Sequence, residues 1–420
     1  MKLTSLGFLT AAGLLTLWAG GDWRYAMAAL QVQGGAGEIR VRDASQLQVA
    51  LDRAQGGERI RLAPGSYGTV LIRDRQFARA ITLIGGEGSE RPRLDTLRIS
   101  ASRNVRVEGV EIGTDQPAGD GAYARIQDSR DIALVGSHVH GSLDGDPAND
   151  GVAVHVIGST DVTLEKLEVE EAHVGVMVAT SDTVRIAGNL LHRLRSDGIM
   201  SAGSDGVTIT GNYITDFSPN AADHSDAIQF HNAGVPKGSD RLVIADNVIM
   251  QGKGGRMQGI WISDGQTFPH RNVTITNNLI YINDYYNGIG LNQVEGALVT
   301  DNTILSEPGD KETAWVRVRN ASNIRLERNV GDYLFVQENV VGLTQADNLF
   351  FPKDGSPRCL FEGLGRGAVA TIADLTMSDL GFRPGDRVHP RARVAKLATR
   401  GRTDVRGRCG LRVGEPNSGR

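Results

Sequence analysis

Six segments decide the fold: VRIAGN (184–189), VTITGN (207–212), LVIADN (242–247), VTITNN (273–278), ALVTDN (297–302) and IRLERN (324–329). Each is a short aliphatic strand ending on asparagine. Asn189, Asn212, Asn247, Asn278, Asn302 and Asn329 recur at intervals of 23 to 35 residues. Repeats of that length belong to solenoids, in which a unit buries its apolar face only against its neighbours. Asparagine suits a bend where one residue turns left-handed, and stacked amides hydrogen-bond along the stacking axis. The pattern predicts an all-β chain wound as a right-handed parallel β-helix. Earlier strands, NVRVEGVEI (104–112), DIALVGSHV (131–139) and DVTLEKLEV (161–169), carry Val110, Ser137 and Leu167 at the ladder position instead.

A second column of strands aligns on Val152, Val176, Ile199, Ile228, Ile260, Ile289 and Val316. Period-2 alternation points these inward, with Val154, Val178, Ser201, Phe230, Ile262, Leu291 and Val318 two residues on. Just before them stand Gly151, Gly175, Gly198, Ala227, Gly259, Gly288 and Trp315. Six small residues in line predict a shallow outward trough.

The ends read differently. Residues 39–75 form the N-terminal cap: the strand Ile39–Arg42, then a short helix started by Asp43 or Ser45 that presents Leu47, Leu51 and Ala54. Coils run on to residue 350, and 351–420 read as a C-terminal cap and tail. At the start, Lys2, an apolar run from Leu6 to Ala19 and the small-residue site Ala26-Met27-Ala28 predict an export signal over 1–28, removed on maturation. No other stretch is long and apolar enough to span a bilayer. In an exported chain the two cysteines, Cys359 and Cys409, are expected to form a disulfide, worth roughly 4 kcal/mol by chain entropy. The destination is periplasmic or extracellular. With 53 glycines and a net charge of −4, the chain suits a tightly turning coil and lacks the basic footprint of a nucleic-acid binder. A capped solenoid is expected to be a monomer.

Titratable side chains are densest over Asp223-His224-Ser225-Asp226-Ala227-Ile228-Gln229-Phe230-His231, where the loops are longest. Alternation turns Gln229 and His231 outward. Trp261 shares the column of Gln229 one coil on, with Arg317 two coils beyond, and Asn292 and Arg319 share that of His231. An exposed tryptophan beside such polar groups suits a sugar ring. Asp226 stands at a bend, aligned with Asp150 and Asp197. Lys253 and Arg256 come from the next loop and can neutralise a substrate carboxylate. Tyr285 and Tyr286, a coil further, offer a phenol as acid or base. Asp223 and Asp226 are candidate oxygen donors for Ca²⁺.

The cap and coils over 39–350 resemble the pectate-lyase-like β-helix superfamily, and that resemblance implies action on polysaccharides by lyases, hydrolases or epimerases. Asp223-His224-Ser225-Asp226 resembles the Asp-Pro-His-Asp/Glu motif of alginate C5-epimerases, in which Asp and His stand at the proton-abstraction centre. The motif departs by lacking the proline and one residue of spacing. Signatures of polygalacturonase-type hydrolases are not apparent. The expected substrate is an acidic polysaccharide, and the expected first step is removal of a uronate C5 proton by His224 or His231. β-Elimination by a lyase leads, with epimerisation, hydrolysis through Asp223 and Asp226, or non-catalytic carbohydrate binding as the alternatives.

Overall fold

The computed structural model describes residues 38–350, apart from 87–90, 117–120, 233, 264–267, 307–311 and 313. The export signal, Cys359, Cys409 and the C-terminal cap and tail lie outside the described residues.

One coil shows the plan: Val152–Ile157, Thr160–Glu165 and Glu168–Glu170, three strands separated by two-residue bends. Each pairs in parallel with its counterpart one coil later, Val174–Ala179, Asp182–Ala187 and Leu190–His192. The third strands make an 11-stranded sheet, and the first and second strands belong to a 23-stranded one. The chain is thus wound as the parallel β-helix that the asparagine spacing predicts. The N-terminal end is closed by the helix Ala44–Arg53, which buries Leu47, Ala50 and Leu51. Asp43 caps it, accepting from Gln46 N at 2.8 Å.

The asparagines form a continuous ladder. Asn189 Nδ2 donates to Asn212 Oδ1 at 2.8 Å, and Asn212, Asn247, Asn278 and Asn302 each repeat the bond at 2.9 Å to the next asparagine. Each oxygen also accepts a backbone N–H from the coil before, as Asn247 Oδ1 does from Asn212 N at 3.0 Å. Asn348 extends the ladder to a seventh member, accepting from Asn329 at 2.9 Å. The left-handed residue is not the asparagine but the one before it: Gly188, Gly211, Asp246, Asn277, Asp301 and Arg328 have φ between 54° and 63°. At the other bend of the coil a serine ladder does similar work. Backbone N–H groups of Ser102, Ser129, Ser159 and Ser181 each donate at 3.1 Å to the next coil's serine Oγ.

Two expectations need correction. Val154, not Val152, pairs with Val176, because the first strand of that coil starts two residues later than the sequence alignment assumes. Gly151 therefore leaves the small-residue column, and Asp150 is not level with Asp197 and Asp226. Asp150 instead closes its own loop, accepting from Tyr123 Oη at 2.7 Å and Ser142 N at 3.0 Å. The trough is also absent. Gly175, Gly198, Ala227, Gly259 and Gly288 are buried. A Cβ on Gly198 would stand 2.5 Å from Ala227 O and 3.1 Å from Ile214 Cγ2. The small residues lie on the inside of the bend, where first strands close against third strands, and leave no room outside.

Candidate active site

The residues two before the inward aliphatics are Asp197, Asp226, Gln258 and Asn287, at the starts of four successive first strands. Asp226 pairs with Gln258, and Asn287 pairs with Trp315 on the next coil. All but Trp315 are buried. Their hydrogen bonds run in one direction. Trp315 Nε1, which can only donate, bonds Asn287 Oδ1 at 2.7 Å. Asn287 Nδ2 donates to Gln258 Oε1. Gln258 Nε2 lies 2.6 Å from His224 Nε2, and His224 Nδ1 lies 3.2 Å from Asp226 Oδ2. The backbone N–H of Asp226 then donates to Asp197 Oδ1 at 2.9 Å. Gln258 Nε2 lies closer to Nε2 than to Nδ1, 2.6 against 3.2 Å, and only Nδ1 faces the carboxylate, an arrangement that favours the neutral imidazole with its proton on Nδ1 and its lone pair on Nε2.

The electrostatics follow from burial. Burial, then the nearby charge of Asp226, pushes the Asp197 carboxyl up to about 7. Burial raises Asp226 too, opposed by hydrogen bonds from His224 and Gln229. Gln229 Nε2 donates to Asp226 Oδ2 at 2.6 Å. Two close, buried carboxyls do not both ionise easily, and Asp226, with two side-chain donors, is the better anion. Asp226 in turn raises His224 above the ordinary histidine value. Asp226 Oδ1 is buried and has no hydrogen-bond partner among the described residues. Yet the His224 side chain is 52% exposed: it is a surface imidazole standing on a buried acid.

Around it are aromatic rings and a cation. Tyr285 meets the imidazole edge-on, with centroids 6.1 Å apart, and Trp261 is 6.5 Å away. Arg256 lies over the Tyr285 ring at 5.4 Å and donates to Ala221 O at 3.3 Å. Tyr285 stacks on Tyr286 at 5.2 Å, while Tyr286 meets Trp315 at 4.9 Å and Trp315 meets Phe335 at 5.0 Å, the two pairs tilted by 43° and 42°. An aromatic strip thus runs from His224 across the following coils. Trp261 lies flat because Gly290, its outward neighbour one coil on, has no side chain: a Cβ there would meet the indole at 2.1 Å. The Arg317 guanidinium also lies over the indole, 5.7 Å from its centroid, and donates to Gln337 Oε1 at 2.6 Å.

Of the residues singled out in the sequence, the structure gathers His224, Asp226, Gln229, Arg256, Trp261, Tyr285, Tyr286 and Arg317. It sets others apart. Asp223 is clamped by Arg195, which donates to both carboxylate oxygens at 2.8 and 3.0 Å and holds the carboxyl below its ordinary value. With Asp223 so engaged and Asp226 buried behind His224, the two are not arranged to share a Ca²⁺. His231 ends the strand that Asp226 begins, roughly 16 Å away by strand rise. Lys253 contributes its backbone N–H, to Asp216 Oδ1 at 2.7 Å. Asn292 bonds Ser263 and Asn320, each at 3.0 Å, and Arg319 pairs with Glu338 at 2.6 Å. Sequence reading missed Gln258 and Asn287, whose common offset from the inward Ile260 and Ile289 was the available signal. It also missed Phe335.

Residues 150–330 match the family model described as the right handed beta helix region. The fold is a right-handed parallel β-helix. No curated protein matches this β-helix by sequence. Among solved structures, the Dettilon tailspike protein is similar with a TM-score of 0.50 and 14% identity, over 74% of this chain and 62% of that one, so the chain spans less than two thirds of it. A surface adhesin of Streptococcus pneumoniae has a TM-score of 0.49 and 13% identity, over 74% of this chain and 88% of the adhesin. An alginate lyase from Paenibacillus sp. str. FPU-7 has a TM-score of 0.40 and 15% identity, over 75% of this chain and 100% of the lyase. At 14% identity the likeness to the tailspike shows the fold alone. No helix among the described residues is long and apolar enough to cross a membrane.

Proposed function

We propose that this β-helix protein is an exported enzyme that removes the C5 proton of a uronate in an acidic polysaccharide and cleaves the chain by β-elimination. The observation that carries this reading is the half-exposed His224, held on buried Asp226 and facing Tyr285 and Arg256. A uronate C5–H becomes acidic once its carboxylate is neutralised, and Arg256 supplies the positive charge. As substrate enters, His224 Nε2 gives up its hydrogen bond from Gln258 Nε2 and takes the C5 proton, and Asp226 stabilises the imidazolium that forms. The C5 electron pair makes the C4=C5 double bond as the C4–O bond breaks. Tyr285 gives its phenolic proton to the departing oxygen. Burial, then Tyr286, raises the Tyr285 pKa, so the phenol is protonated near neutrality. Solvent returns both groups to their starting states.

Hydrolysis is disfavoured by position. Asp226 is fully buried and Asp197 nearly so, while Asp223 is engaged by Arg195, so a carboxyl pair flanking a glycosidic bond is not available here. The strip Tyr286, Trp315 and Phe335 suits the apolar faces of successive sugars. Neutralisation by Arg256 needs no Ca²⁺. The test is to incubate the mature protein with a panel of uronate polymers and follow ultraviolet absorbance from unsaturated chain ends, with Ca²⁺ and with a chelator. Absorbance that grows equally in both supports the reading. Shortened chains without it mean hydrolysis, and unchanged polymer across the panel overturns the proposal.

A further inference from the structure

Another titratable cluster lies earlier in the coil stack, on the third strands His138–His140, Glu168–Glu170 and Leu190–His192. Val139, Val169 and Leu191 are buried in the core, so the residues on either side of each face away from it. Register places His138 beside Glu168, His140 beside Glu170, and Glu170 beside His192. Unlike the ladders, this column puts imidazoles and carboxylates together and leaves a nitrogen unused. His138 Nε2 is 2.8 Å from Glu170 Oε1. His192 Nε2 is 3.6 Å from Glu168 Oε1 and 3.6 Å from Glu170 Oε2. Those separations are long for hydrogen bonds, and no shorter one reaches the buried His192 Nε2 among the described residues. One donor atom each from His138, Glu168 and Glu170 lie within 4.8 Å of one another.

The separations leave room for an ion among these side chains. Four donors at zinc's bond lengths stand about 3.3 Å apart. The cluster's imidazole–carboxylate separations, 2.8 to 3.6 Å, bracket that value. We infer that His138, Glu168 and Glu170 form a binding site for one divalent transition-metal ion of the Zn²⁺ class, with His192 turning in from the next coil as the fourth donor. Two imidazoles among the donors select such an ion over Ca²⁺ or Mg²⁺, which take oxygen. The ion replaces the proton between His138 and Glu170 and gives His192 Nε2 its partner. Neighbours hold the ligands in place, as outer partners of metal ligands do. Arg193 donates to Glu170 Oε2, leaving Oε1 toward His138. The His140 ring sits 4.7 Å from that of His138, its own Nδ1 donating to Gly141 O at 2.7 Å. Glu168 is 37% exposed and gives the ion a way in. Bound there, the ion ties three consecutive coils together. The site shares no residue with the one around His224.

The test uses the mature protein without a histidine tag, stripped with a chelator. It is titrated with Zn²⁺ by calorimetry and with Co²⁺ by visible absorption. The expected result is one equivalent bound, a tetrahedral Co²⁺ band and a raised Tm with Zn²⁺. His192→Ala and Glu168→Gln should each weaken binding by more than about 10-fold, while Glu295→Gln, in an exposed ion pair elsewhere, should not. Absence of stoichiometric binding by the wild-type protein overturns the inference, even if a variant fails to fold. Unchanged affinity in both ligand variants overturns it as well. Uronate cleavage is scored separately and does not enter either outcome.

Discussion

Two polar columns run along this β-helix, and they behave in opposite ways. The asparagine ladder repeats one residue, and each amide from Asn189 to Asn329 donates along the axis and accepts from the coil before. The column at the start of the first strands changes chemistry along the axis, from Asp197 and Asp226 to Gln258, Asn287 and Trp315. It leaves Asp226 Oδ1 without a hydrogen bond among the described residues and holds a solvent-facing histidine between Gln258 and Asp226. A buried polar group left unsatisfied costs about 1–3 kcal/mol. A column that serves only the fold has no reason to carry that cost. Uniform rungs signal winding, and irregular rungs with orphaned atoms signal a site.

The sharpest way to break this comparison is to exchange the effects. His224→Ala should lower the rate of uronate elimination by roughly 10²–10⁴-fold while leaving the denaturation midpoint nearly unchanged, as judged by absorbance assays and urea melts on one preparation. Asn247→Ala should do the reverse. It strips an acceptor from two groups of Asn212 and a donor from Asn278, and should cost about 3–5 kcal/mol of stability with kcat retained below the melt. A ladder variant that abolishes turnover while still folded would erase the distinction.

A finer test lies in pH. Asp226 raises His224 above 6.5, so the base form, and with it the rate, should appear as pH rises through a value above 6.5. Asp226→Asn removes the anion and should move that acidic limb downward by about one unit, besides slowing the reaction. A limb that does not move means another group carries it. The smallest effect concerns stability. The Asp197 carboxyl is raised to about 7 in the fold against 3.8 in the open chain, so the folded state prefers it protonated. Its stabilising preference is fully present below pH 3.8 and is lost as pH rises through about 7. Asp197→Asn, which keeps the acceptor for Asp226 N, should therefore stabilise the protein by on the order of 1–3 kcal/mol at pH 8 and by little at pH 4.

How much of this was legible follows from the same contrast. Winding was readable because Asn189 to Asn329 repeat an identity. Asn348 escaped because its coil is only 19 residues long. The serine ladder escaped because Ser102, Ser129, Ser159 and Ser181 look like any bend residues. His224 and Asp226 stood out as neighbours in sequence. Gln258 and Asn287 did not, since their role depends on register across coils of unequal length, and the misaligned Val152 shows how easily that register slips. Asp223 looked reactive because Arg195, its partner, comes from the previous coil. The small-residue column was found but assigned to the wrong side of the sheet: at a bend, alternation no longer tells inside from outside, and Gly198 packs on Ile214.

The most direct measurement is proton NMR of the mature protein with uronate polymers in D₂O, comparing wild type with His224→Ala. The account predicts vinylic signals from unsaturated ends with wild type and none with the variant. Deuterium entering C5 without cleavage would keep His224 as the base but replace elimination with epimerisation. Equal signals from both proteins, or chains that shorten without any vinylic proton, would contradict the claim that His224 on Asp226 performs the chemistry.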